Sequence, residues 1–179
     1  DINTNRTNKM MLYTTLNKIR NKYPCESGWE QLLKHLGKTK ADDEQLSFKT
    51  ILESNGISDA IWCLRSVEGY DREIRLFAVS CARRVEHLDR TGQAKKTNDI
   101  AERFNNGLCT IDELNEASEA AFQSANAASR AAALACAAWY MNEWKSASIA
   151  ARAATWVAEI VDKKVGHEQD LIKIFCTEE

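Results

Sequence analysis

Proline occurs once in this chain, at position 24, and glycine only seven times in 179 residues. So few breakers leave long stretches in which nothing interrupts a helix. No segment alternates apolar and polar residues over a useful length, so no strand is required. No apolar run approaches the ~18–20 residues that span a bilayer. No charged, apolar and small-residue series of the secretory type opens the sequence. The six cysteines (Cys25, Cys63, Cys81, Cys109, Cys136 and Cys176) are widely spaced and form no CxxC. They read as reduced thiols of a cytoplasmic protein, several of them filling core.

Catalytic and cofactor signatures are missing too. Neither GxGxxG nor GxxxxGK is present, so no glycine-rich loop cradles phosphate, and HExxH is absent. His35, His87 and His167 fall in separate segments, the first two near helix ends where an imidazolium complements the dipole. Cys81 and His87 lie six residues apart on one helix, on different faces, which is poor geometry for a nucleophile and its base. No enzyme, cofactor or metal is expected. Arg72, Arg75, Arg83 and Arg84 share their helix with Glu73 and Glu86, which predicts ion pairs within the protein.

What is present is helix periodicity. Leu12, Leu16, Ile19 and Tyr23 step by four, three and four towards Pro24. Ser27-Gly-Trp-Glu30 has the form of a capping box, and Gly37 stops the helix that follows. A polar loop covers 38–45. Ser47, Ser58 and Asp71 are candidate N-caps for the next three helices. The third carries Ile74, Phe77, Ala78, Cys81, Val85 and Leu88 on one face. A further helix runs from about Gln93 to Asn106, ended by Gly107. Thr110-Ile-Asp-Glu113 is a second capping box.

From Leu108 to Val165 there are 58 residues without glycine or proline. A single helix of that length would reach ~87 Å, against a radius of gyration near ~16 Å for a globule of this size. The chain must therefore fold back, and Asn142 to Ser146, where the alanine pattern lapses, is the predicted turn. Ala117, Ala121, Ser124, Ala128, Ala131, Ala135 and Ala138 keep a four-three spacing, and Ala147, Ala151, Ala154, Ala158 and Val161 repeat it. Methyl-lined stripes let helix axes approach towards the short end of ~8–10 Å. The predicted fold is all-α: a compact bundle of about eight to nine helices with a close-packed, Ala-rich antiparallel hairpin at about 110–165. Residues 1–26 read as a basic N-terminal helix or arm and 27–179 as the helical domain.

Net charge is −2, unevenly spread: residues 1–40 hold eight Lys/Arg against three Asp/Glu. Arg6, Lys9, Lys18, Arg20 and Lys22 form a candidate phosphate-contacting arm, the basis of an alternative nucleic-acid- or nucleotide-binding reading. The main expectation rests on aromatics. Trp139, Tyr140 and Trp144 crowd the predicted hairpin tip, and Trp and Tyr dominate binding hot spots because they bury much area at small entropic cost. These three are the candidate partner-binding residues. The Ala-rich faces also admit a homodimer.

Several stretches taken together resemble the alanine-rich, immunity-protein-like accessory proteins of bacteriophages. They are Trp29-Glu-Gln-Leu-Leu-Lys, Leu36-Gly-Lys-Thr39, Phe48 to Cys63-Leu-Arg65, Gly69-Tyr-Asp-Arg-Glu-Ile-Arg-Leu-Phe-Ala-Val79, Cys81-Ala-Arg83 and the Ala/Trp-rich run from Ala117 to Ala158. The resemblance covers roughly residues 29–160. It implies a phage or prophage origin and a dispensable, host-directed task, with no catalytic motif to carry over. Together with the helical scaffold and the aromatic cluster it makes the expectation a protein of the host cytoplasm that binds and inhibits a host or rival protein, such as a component of antiviral defence or a toxin.

Overall fold

A computed structural model describes residues 11–124, 127–137, 171–173 and 176. The protein is all-α, built from packed helices. The described residues form two compact units, one of 1–68 with 168–179 and one of 69–167. The division falls between Glu68 and Gly69.

In the first unit, α1 spans Leu16–Arg20, α2 Glu26–Leu36, α3 Phe48–Asn55 and α4 Ile57–Cys63, followed by a 3₁₀ turn at Leu64–Ser66. Two very short strands, β1 (Tyr13–Thr14) and β2 (Leu46–Ser47), pair antiparallel with Tyr13 opposite Ser47. This pairing was not expected from the residues, because two-residue strands are too short to show alternation. It also shortens the predicted first helix. Thr14 is buried in the strand, and its hydroxyl meets the Ser66 hydroxyl at 2.8 Å. Leu12, Leu16, Ile19, Phe48, Ile51 and Leu64 make a core of nearly inaccessible side chains, joined by Leu171. Residues 11–20 are therefore part of this unit's core, not an appended arm.

Caps decide where these helices begin. Ser47 accepts from the Thr50 amide, as its position predicts. The Ser27 box does not form, because α2 starts two residues earlier, at Glu26, with Cys25 as its N-cap. Neither Ser58 nor Asp71 caps: α4 begins after Gly56 and α5 after Tyr70. In both cases the helix takes up the expected cap as an internal first-turn residue, where Asp59 and Asp71 still complement the dipole.

The second unit contains α5 (Asp71–Glu86), α6 (Gln93–Asn105), α7 (Ile111–Gln123) and α8 (Ala127–Ala137). The Thr110–Glu113 capping box is fully formed, both hydrogen bonds present. Helix α8 packs on α5, α6 and α7 at once. Ala128, Ser129, Ala131, Ala132, Ala133, Ala135 and Cys136 are all buried, so it is covered on nearly every side. Alanine suits a helix enclosed by three neighbours, since each axis can come close only where side chains are short. Helix α8 is thus a central post among α5, α6 and α7.

The alanine spacing misses a break. It passes through Ser124 without interruption, yet Ser124 has extended backbone (ψ 137°) and ends α7. Helix α7 ends at Gln123 and α8 begins at Ala127, and the Ser118 hydroxyl donates to the Ala133 carbonyl (3.2 Å), as an antiparallel α7–α8 pair requires. The turn at Asn142 to Ser146 and the second alanine series lie outside the described residues.

Polar contacts lock the unit. The Arg83 guanidinium spans α5 and α6, donating to Glu86 (3.1 Å), Asp99 (2.8 Å) and both Glu102 oxygens (2.8 Å). Arg72 and Arg75 reach Asn105, and Arg72 pairs with Glu73. Ion pairing within the protein is what the mixed charges of α5 predicted. Asp89, buried in the α5–α6 turn, accepts from the Thr91 amide and hydroxyl, the Ala94 amide and the Ser129 hydroxyl. Burial alone would raise its pKa, but these four donors outweigh it and bring it down to about 2.

Candidate interaction surface

The surface with the most recognition chemistry among the described residues lies in the first unit and begins at Tyr23-Pro24. Helix α1 ends at Arg20, and the Tyr23 amide donates to the Arg20 carbonyl (3.0 Å). The proline ring crowds the residue before it out of the right-handed helical region. Tyr23 takes φ 58°, the sole non-glycine residue with positive φ among those described. That conformation costs ~1–2 kcal/mol for an L-residue. Its ring recovers nothing by burial, being 90% exposed.

Behind this turn, Ile19, Pro24, Cys25, Trp29, Ile51 and Trp62 line a small apolar cleft of about 50 Å³. Its polar edge is a small network: Asn55 Nδ2 donates to the Gly28 carbonyl and to Asp59 Oδ2, both at 2.8 Å. This ties α2, α3 and α4 together. Helix α2 approaches closely enough that a Cβ on Gly28 would lie 2.7 Å from Asp59 Oδ2, so any side chain there would push the Asp59 carboxylate off its bond to Asn55. Gln31 Nε2 adds a bond to the Ser54 carbonyl. The cleft walls are thus held from both ends.

Each tryptophan carries an arginine. The Arg20 guanidinium lies 5.5 Å from the Trp29 ring centroid, and that of Arg65 lies 4.0 Å from Trp62. Arg65 Nε also donates to the Trp62 carbonyl (2.9 Å). A second, open depression made by Arg20, Asn21, Tyr23, Pro24, Glu26 and Trp29 shares Pro24 and Trp29 with the cleft. The two form one continuous surface of aromatic rings flanked by guanidinium groups. Such rings contribute ~0.5–2 kcal/mol per cation–π pair and hold the arginines in fixed poses.

Comparison with family models, characterised proteins and solved structures finds no match to this chain. The surface is therefore read from its own chemistry. Among the described residues no three His, Cys, Asp or Glu side chains gather as a metal site. Cys63 and Cys136 are buried, and burial pushes both thiols up to about 12, away from the nucleophilic thiolate. Cys81 is fully buried while His87 is exposed at the end of α5, so they form no catalytic pair.

Of the residues singled out from the sequence, Trp139, Tyr140, Trp144, Arg6 and Lys9 lie outside the described residues. Lys18, Arg20 and Lys22 are exposed around the end of α1, and Arg20 is engaged with Trp29 rather than projecting freely. The residues that sequence reasoning passed over are Tyr23, Trp29 and Trp62. Arg65 stands three residues after Trp62, the spacing of helix neighbours, and that pairing was readable. The Arg20–Trp29 pair joins two helices and was not.

Proposed function

We propose that this is a non-enzymatic, phage-type binding protein that inhibits a host or rival protein, such as an antiviral-defence component or a toxin. The observation that carries the binding role is Tyr23: a strained backbone presents a fully exposed aromatic ring beside a Trp-lined cleft. Strain held without burial in return points to a use outside the chain. Tyr, Trp and Arg are the residue types that concentrate energy in protein interfaces. The resemblance to phage accessory proteins supports the choice of partner class, as an analogy.

The test is capture from host lysate on the immobilised protein, comparing wild type with Tyr23→Ser and Trp62→Ala, each checked for retained helicity. The expected result is a specific protein lost with both substitutions. Loss confined to Trp139→Ala, Tyr140→Ala or Trp144→Ala would move the interface to the Ala-rich segment. Capture of no protein at all would overturn the reading.

A further inference from the structure

Resting on that protein-binding reading, we infer that the Tyr23–Trp29–Arg20 surface recognises an acidic peptide segment: a partner carboxylate beside an apolar side chain. Arg20 supplies the first half of the argument. Its guanidinium is laid over Trp29 at 5.5 Å, and it makes no ion pair with any described carboxylate. A guanidinium stacked on a ring keeps its N–H edge in plane and available, the arrangement that takes a carboxylate bidentately. Exposed Lys22 adds positive charge in the same turn.

The cleft supplies the second half. Its wall from Pro24 through Trp29 to Trp62 is apolar and continuous with the depression beneath Arg20. The depression itself, about 580 Å³ and lined by Tyr23, Pro24 and Trp29, gives room for an anchor of Leu, Met or Phe size, and a carboxylate one or two residues away on an extended segment reaches the Arg20 guanidinium. Tyr23 stands at the rim, placed to cover the anchor and exclude water around the ion pair.

Glu26 decides against the other polyanion. It lines the same depression as Arg20. A nucleic-acid backbone, with a charge at every phosphate, would set one against that carboxylate. A peptide with one or two acids can avoid it.

The experiment is selection of a random peptide library displayed on phage against the full chain, followed by fluorescence anisotropy with the enriched peptide and with labelled oligo-dT. The expected motif pairs Asp or Glu with a large apolar residue. Its affinity should fall about tenfold or more in Arg20→Gln, the loss of a charge-assisted pair, and only partly recover in Arg20→Lys. Tyr23→Ser should also weaken it. Both positions are exposed, so a thermal melt confirms that the variants fold. An enriched motif that depends on Tyr23 but is neutral or basic and indifferent to Arg20 would overturn this inference while sparing the protein-binding reading. No enrichment sensitive to Tyr23 or Trp62 would sink both. Tight oligo-dT binding lost in Arg20→Gln would replace the peptide with nucleic acid.

Discussion

Tyr23 couples stability to recognition at a single residue. Asn tolerates left-handed backbone better than Tyr, and the ring is solvent-exposed. Tyr23→Asn should therefore raise the unfolding free energy by about 0.5–1 kcal/mol while weakening the partner complex. Denaturant unfolding checks the first half, and an unchanged or lowered midpoint would show that the turn is not strained. Asp89 makes the opposite case, a residue whose unusual acidity serves only the fold. Its carboxyl sits below the ordinary 3.8, at about 2, so it stabilises the protein fully above pH ~4 and loses that contribution as pH falls through 2. Asp89→Asn should flatten stability across that acid window and cost roughly 2–3 kcal/mol at neutral pH, because buried donors lose an ionised acceptor. Acid titration followed by circular dichroism reads both effects. Neither residue's role was legible in sequence. Tyr23 continued a four-three-four stripe, and only the proline after it signalled the change. Asp89 meets Ser129, 40 residues away.

At the level of the helix, α8 shows how far periodicity reaches. That its alanines serve close packing was readable from their spacing, and five described members of the first series, Ala117, Ala121, Ala128, Ala131 and Ala135, are buried. That the series spans two helices was not readable, because the chain re-enters the pattern after the turn at the same phase. A spacing rule cannot see a break that preserves its own register. The enclosure of α8 has a measurable effect. Ala132, wholly inaccessible, has no room to grow, so Ala132→Leu should cost at least ~1–3 kcal/mol through overpacking. Ala120→Leu on the exposed side of α7 should change stability by no more than ~0.5 kcal/mol. Comparable losses at both sites would contradict a central position for α8. The formed Thr110–Glu113 box, the Ser47 cap and the left-handed Gly37 (φ 65°) were legible because each is set by residues within one turn. Ser27, Ser58 and Asp71 were misread because an N-cap is one position wide and competing neighbours shift it.

At the scale of the whole molecule, the proposed surface and the described alanine helices fall in different units. The residues of the proposed surface, 19–32 and 51–65, belong to the first unit, whereas α5 to α8 make the second. Bound peptide should therefore slow amide exchange in those two stretches and leave α6 to α8 unaltered. Protection spread over α8 would place the binding site elsewhere. Charge follows a related division: eight of the 24 Lys/Arg but only three of the 26 Asp/Glu fall in residues 1–40. An acidic partner would thus be drawn to the N-terminal end, and raising salt should slow its association more than its release.

The central position of α8 also bears on synthesis. The three helices it joins, α5, α6 and α7, all precede it along the chain, so on the ribosome they emerge before the post around which they gather. Until residue 137 has left the exit tunnel, the apolar flanks of α5 to α7 have no common surface to close upon, and this is the interval in which a nascent chain is exposed to chaperones and to its own neighbours.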